Sequence, residues 1–235
     1  MTPARPVVAG SIGVMGGAFD PIHIGHLAIA EEAREVLGIE TVLFVPTGAP
    51  PHREDALASA GDRLAMTALA IAGNPAFHLS RVEVDRAGPS YTLDTLVLLA
   101  DHERAAGREP NFVLILSAET FHDLPGWHEP RRILELARLA VAPRVGHATP
   151  DRAWLTGHFP GLEHRVTYLE GPRLGVSSTA IRERLAAGRS VRYLVPAPVV
   201  DYIGEHGLYI RPQRARRPGR AGRQTIPTGG GAAGP

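Results

Sequence analysis

Hydrophobic positions along this chain change rhythm at regular intervals. Val7–Met15, Thr41–Pro46, Phe77–Val84, Asn111–Leu116, Leu139–Ala142 and Val166–Leu169 are short apolar or partly alternating runs bounded by Gly, Pro or charge, and they predict strands. Between them, Leu27–Leu37, Asp62–Gly73, Thr92–Ala106 and Arg131–Arg138 carry apolar residues at helical spacing, the third closed by Gly107. Farther along, helices are predicted from Thr149 to His158, Ser178 to Ala187 and Pro198 to His206. Strands that alternate with helices and have apolar centres predict an α/β protein, a doubly wound Rossmann-like parallel sheet with helices on both faces. Right-handed crossovers then put any ligand at the carboxyl ends of the strands. Residues 1–210 form the expected domain. Residues 211–235 are rich in Arg, Gly and Pro, lack apolar periodicity and predict a disordered tail.

Composition narrows the chemistry. A chain of 235 residues, 44% hydrophobic, buries one good core and has the size of a single α/β domain. The absence of Cys excludes disulfides and thiol chemistry. No apolar run reaches the roughly 18 residues of a membrane span, and Met1–Pro6 has no signal-peptide character, so a cytoplasmic protein without a membrane partner is expected. The formal charge of +1 hides an asymmetry: the tail holds six arginines and no acid, leaving a net −5 before it. That tail reads as a solvated extension, without a specific nucleic-acid partner. There is no Lys, so every fixed side-chain positive charge that meets a phosphate comes from Arg, whose planar fork suits the task.

Two segments carry candidate chemistry. In Gly16-Gly17-Ala18-Phe19-Asp20-Pro21-Ile22-His23-Ile24-Gly25-His26, two glycines end the first strand and two histidines stand three residues apart just before a helix. Glycine permits backbone conformations that a side chain blocks. The helix N-terminus presents unpaired amides and the positive end of its dipole, and imidazoles there add donors, so the segment reads as a phosphate site. Late in the chain, Val176-Ser177-Ser178-Thr179-Ala180-Ile181-Arg182 sets hydroxyls at a helix start with Arg182 one turn on. On its own this is an ordinary capped helix.

The first segment, Gly-x-Phe-x-Pro-x-His-x-Gly-His, resembles the signature of the HxGH nucleotidyltransferases. Its four-residue core also marks class I aminoacyl-tRNA synthetases, for which this chain is short. Ser-x-Thr-x-x-Arg resembles the second signature of the same nucleotidyltransferases. Further matches resemble the nicotinate-nucleotide adenylyltransferase family: Pro50-Pro51-His52-Arg53, Arg63-Leu64-Ala65-Met66, Ser90-Tyr91-Thr92-Leu93-Asp94-Thr95-Leu96, Leu124-Pro125-Gly126-Trp127, Val199-Val200-Asp201-Tyr202-Ile203 and Gly207-Leu208-Tyr209. The resemblance implies a nucleotidyltransferase-type fold and adenylyl transfer from ATP to nicotinate mononucleotide in NAD biosynthesis, with Mg²⁺ bridging the phosphates and no metal held by the protein. It implies His23, His26 and Arg182 as catalytic residues, and Gly16, Gly17, Phe19, Glu119, Arg144, Ser178 and Thr179 beside them on ATP. On the acceptor it implies Ala18, His52, Arg53, Tyr91, Thr92 and Trp127. Thr92 opens a helix whose amides suit a pyridine carboxylate, and Trp127 offers a flat face for stacking, although without the resemblance Trp127 reads first as cover for the core edge.

One departure is visible: where the family usually has Gly-Ala-Asp after its fourth strand, this chain has Ser117-Ala118-Glu119. The acidic residue there is expected near ribose hydroxyls. Alternatives are pantetheine-phosphate adenylyltransferase, which is shorter and lacks the Ser-Tyr-Thr-x-Asp-Thr-Leu run, and a non-catalytic nucleotide-binding regulator on the same fold. A homo-oligomer is compatible with the sequence.

Overall fold

The computed structural model describes residues 10–48 and 58–210. Six strands, β1 (Ile12–Gly17), β2 (Thr41–Pro46), β3 (Phe77–Leu79), β4 (Phe112–Ser117), β5 (Ala137–Ala142) and β6 (Val166–Tyr168), form one sheet in the order β3-β2-β1-β4-β5-β6. Every pairing is parallel. The helices are α1 (Ile24–Leu37), α2 (Ala60–Ile71), α3 (Thr92–Ala105), α4 (Ala118–Asp123), α5 (Pro130–Leu136), α6 (Arg152–His158), α7 (Ser178–Ala186) and α8 (Ala197–Glu205). This is the doubly wound α/β architecture expected from the alternating pattern. The chain order reverses between β1 and β4, and the crevice beyond their carboxyl ends is where such sheets bind ligands.

Because strand side chains alternate, each central strand feeds two cores. Val113 and Ile115 of β4 join Met15, Phe44, Ala30, Ala33, Met66, Val199 and Ile203 on the face covered by α1, α2 and α8. Phe112, Leu114 and Leu116 of the same strand join Val14, Leu96, Leu99, Phe121, Ile133 and Leu134 beneath α3, α4 and α5. With both faces covered, β4 reads as a nearly unbroken apolar run.

Several boundaries differ from expectation, each for a local reason. β3 stops at Leu79 instead of Val84: it is an edge strand paired only with Val42–Phe44, and the Arg81–Asp85 ion pair at 2.7 Å accompanies a turn. Ala137 and Arg138 belong to β5 and not to the preceding helix, because β5 pairs with β4 along all six positions from Phe112↔Ala137. Of the first predicted strand, Val7–Ala9 lie outside the described residues, and pairing begins at Ile12 and runs on through Gly16 and Gly17. α4 and the 3-10 turn Leu124–Gly126 have no counterpart in the periodicity, being too short to show one. The predicted tail lies outside the described residues, and no described helix is long and apolar enough to cross a membrane.

Candidate active site

The loop after the central strand is built around two neutral imidazoles. Gly16 and Gly17 extend β1, paired with Val45 and Pro46, and neither takes the left-handed conformation for which glycine was expected. A Cβ on Gly16 would stand in open space, so its value is steric room above the sheet edge. The positive φ falls on Phe19 (50°), whose ring is buried edge-on to His26 at 5.1 Å and against Phe44 at 5.9 Å, leaving its backbone for any ligand contact. His23 is the extended N-cap of α1, and its N–H donates to His26 Nδ1 at 3.2 Å. A ring nitrogen that accepts has no proton, so the neutral His26 carries its hydrogen on Nε2. The two rings stack with centroids 3.7 Å apart. Burial, reinforced by the Arg144 charge, depresses His23 to about 4. Burial, then His23 and Arg144, holds His26 well below the usual imidazole range. At neutral pH both are uncharged hydrogen-bond donors.

The second motif meets this loop directly. Ser177 caps α7 by accepting from the Ala180 N–H at 3.2 Å, so the hydroxyl of Ser178 is left to donate to the Pro21 carbonyl at 2.9 Å. Arg182 donates to the Asp20 carbonyl at 2.8 Å and to Thr179 Oγ1 at 3.3 Å. From the other side, Tyr209 donates to Asp20 Oδ1 at 2.5 Å, and the Ile24 N–H donates to the Leu194 carbonyl at 3.1 Å. The amino-terminal turns of α1 and α7 thus stand side by side, each with the orphan amides and dipole that favour phosphate. Arg144, just past β5, donates to the Val176 carbonyl at 2.8 Å and lines a 480 Å³ recess with His147 and Arg173. Glu119 lies 3.5 Å from Arg144 and 3.8 Å from His147. Ser117 acts as the N-cap of α4, accepting from the Thr120 N–H at 3.2 Å, which gives the serine in the departing tripeptide a structural task.

Of the residues expected on the acceptor, Tyr91, Thr92 and Trp127 gather at the start of α3, while Ala18 stays in the loop after β1, its carbonyl held by Arg63. Tyr91 occupies the N-cap position without a side-chain cap, so no side chain competes for the first-turn amides behind Thr92. The Tyr91 ring lies 5.1 Å from that of His128, which brings the segment holding Trp127 beside the α3 N-terminus. Trp127 is half-buried against the core under α3, α4 and α5, so part of it is packing, as its residues alone had implied. His52 and Arg53 lie outside the described residues.

Sequence reasoning gave no role to Arg63, Glu83 or Asp20, all of them buried. Arg63 was visible in two ways: it opens one of the runs that resemble the family, and it falls on the same helical stripe as Thr67 and Ile71, where a charged residue is out of place. Glu83 and Asp20 had no such signal, because the contacts that bury them include groups distant in sequence, Gly48 for Glu83 and Tyr209 for Asp20.

Comparison with known proteins shows the family and the fold. The Cytidylyltransferase-like family model matches residues 14–184. A relative from Roseiflexus sp. (strain RS-1), named "Probable nicotinate-nucleotide adenylyltransferase", is 51% identical over 84% of this chain and 97% of its own length. One of the same name from Dehalococcoides mccartyi (strain ATCC BAA-2266 / KCTC 15142 / 195) is 42% identical over 85% of this chain and 97% of its own. Among solved structures, Plasmodium falciparum nicotinic acid mononucleotide adenylyltransferase complexed with NaAD shares the fold at a TM-score of 0.69 and 19% identity, covering 85% of this chain and 97% of that one. With the family model matched over most of the chain, and with relatives this similar along most of its length, the chain belongs to the nicotinate-nucleotide adenylyltransferase family within the cytidylyltransferase-like proteins.

Proposed function

We propose that the protein transfers the adenylyl group of ATP to nicotinate mononucleotide, giving deamido-NAD and pyrophosphate. The observation that carries this reading is the pair of bonds from α7 to the first loop, Ser178 to Pro21 and Arg182 to Asp20, which presents two helix N-termini and two imidazoles to one region. The nucleophile is the acceptor's own phosphate. Its second pKa is about 6, so it is largely dianionic at neutral pH and requires no general base. What the protein contributes is alignment and stabilisation of the charge that develops at the α-phosphorus.

Within that task, His26 Nε2–H and the His23 imidazole donate to the α-phosphate region while adding no charge that would hold the ground state. The α7 amides and Arg182 receive the leaving pyrophosphate. The amides of α3 receive the pyridine carboxylate, with the exposed part of Trp127 against the ring. Among the described residues there is no cluster of three or more His, Cys, Asp or Glu able to hold a metal. We take magnesium to enter on the triphosphate, as part of the substrate, where it would neutralise phosphate charge.

The test is pyrophosphate release from ATP and Mg²⁺ with nicotinate mononucleotide, nicotinamide mononucleotide and phosphopantetheine as alternative acceptors. Turnover strongest with the nicotinate compound is expected. Tight ATP binding without turnover on any acceptor would turn the protein into the regulator instead.

A further inference from the structure

A buried chain of contacts joins the nucleotide loop to the acceptor end of α3. Arg63 donates from Nη1 to the Ala18 carbonyl at 2.9 Å and from Nη2 to the Gly48 carbonyl at 3.3 Å. Gly48 presses so closely on the backbone of Glu83 that a Cβ there would come within 2.3 Å of the Glu83 carbonyl oxygen. Glu83 Oε1 accepts from Thr95 Oγ1 at 2.7 Å, and the same hydroxyl lies 3.2 Å from the Tyr91 carbonyl at the helix cap. Arg63, Glu83 and Thr95 are 2%, 6% and 3% exposed. Burying a guanidinium and a carboxyl costs more than burying apolar groups of the same size, so they make a poor way to fill a core. Charges of both kinds compensate them: Asp20 and Glu83 face Arg63, and Arg86 faces Glu83.

We propose that Arg63 and Glu83 are positioning residues, a relay from Ala18 through Gly48 to Thr95 that holds the first turn of α3 at a set distance and angle from the nucleotide loop. The proposal rests on the reading that α3 binds the acceptor and the loop binds ATP. Neither residue touches substrate; each acts through the backbone it fixes. Since an offset of about 1 Å between reacting groups can cost on the order of a hundredfold in rate, the relay matters to turnover without contributing to either binding surface.

The experiment uses the full chain and three variants, Glu83→Ala, Glu83→Gln and Thr95→Val, with kinetics and hydrogen exchange on each. Glu83→Ala should lower kcat/KM for the mononucleotide by roughly 10- to 100-fold, while ATP affinity changes by less than about threefold. Glu83→Gln, whose amide oxygen can still accept from Thr95, should recover most of that loss. Thr95→Val reads the same link from its other end if Glu83→Ala does not fold, and should show a smaller loss of the same kind. In Glu83→Ala or, failing that, Thr95→Val, exchange should quicken at residues 90–96 and also at 18–20. Intact kcat/KM with lowered thermal stability alone, equal losses for both substrates, or exchange that quickens at α3 without reaching 18–20 would overturn the relay. A wild-type protein that releases no pyrophosphate would instead overturn the assigned reaction, and the exchange pattern would still decide the relay.

Discussion

His23 shows how one buried imidazole links chemistry to stability. Its folded value of about 4 lies below the ordinary 6.5, so the native protein binds fewer protons than the unfolded chain between these limits. Its contribution is complete above pH 6.5 and is lost as pH falls through 4, at up to about 1.4 kcal/mol per pH unit for a single proton. Thermal unfolding measured from pH 7 to pH 4.5 should therefore show a smaller loss for His23→Asn than for the wild type. Parallel slopes would mean that the imidazole is not kept neutral by burial. At pH 7.5 the same variant should lose on the order of a hundredfold in kcat with little change in ATP affinity, as befits a donor that acts at the transition state.

At the level of elements, α1 is tuned for the site at a cost to itself. Gly25 lies in its first turn, where alanine would favour the helix by up to about 1 kcal/mol, yet a Cβ there would stand 3.0 Å from two atoms of the His23 ring. Gly25→Ala should leave thermal stability unchanged or slightly higher while lowering kcat at least tenfold; full activity would show that the ring can yield. The glycine between the histidines was legible as part of a motif, whereas its reason, the ring beside it, needed the structure. The alternation of strands and helices was legible in the same way, since apolar period follows directly from which faces are covered. Short pieces such as α4 and the early end of β3 were not, because caps and edge pairing decide them and leave no period. Ser117 illustrates the difference: as a departure from the family pattern it was visible, but its capping of Thr120 is a property of the turn that β4 makes. Arg63 was visible only in a matched run and on a helical stripe, and Glu83 not at all, because contacts made across the fold determine what a buried charge does.

Across the whole molecule, the first loop is held by elements far apart in the chain: Arg63 from α2, Ser178 and Arg182 from α7, and Tyr209 after α8. Tyr209 donates to a buried carboxylate 189 residues away, and burial together with that bond raises its own pKa. A hydrogen bond to a charged group contributes about 1.5–3 kcal/mol, so Tyr209→Phe should lower Tm by roughly 3–10 °C and weaken ATP binding. A variant with unchanged melting would show that solvent replaces the phenol at no cost. The tie has a consequence for biosynthesis. During synthesis the loop after β1 leaves the ribosome well before the phenol that holds its aspartate, which comes 189 residues later. Among the described residues, the last side-chain tie on that loop therefore waits until the chain has been made through Tyr209.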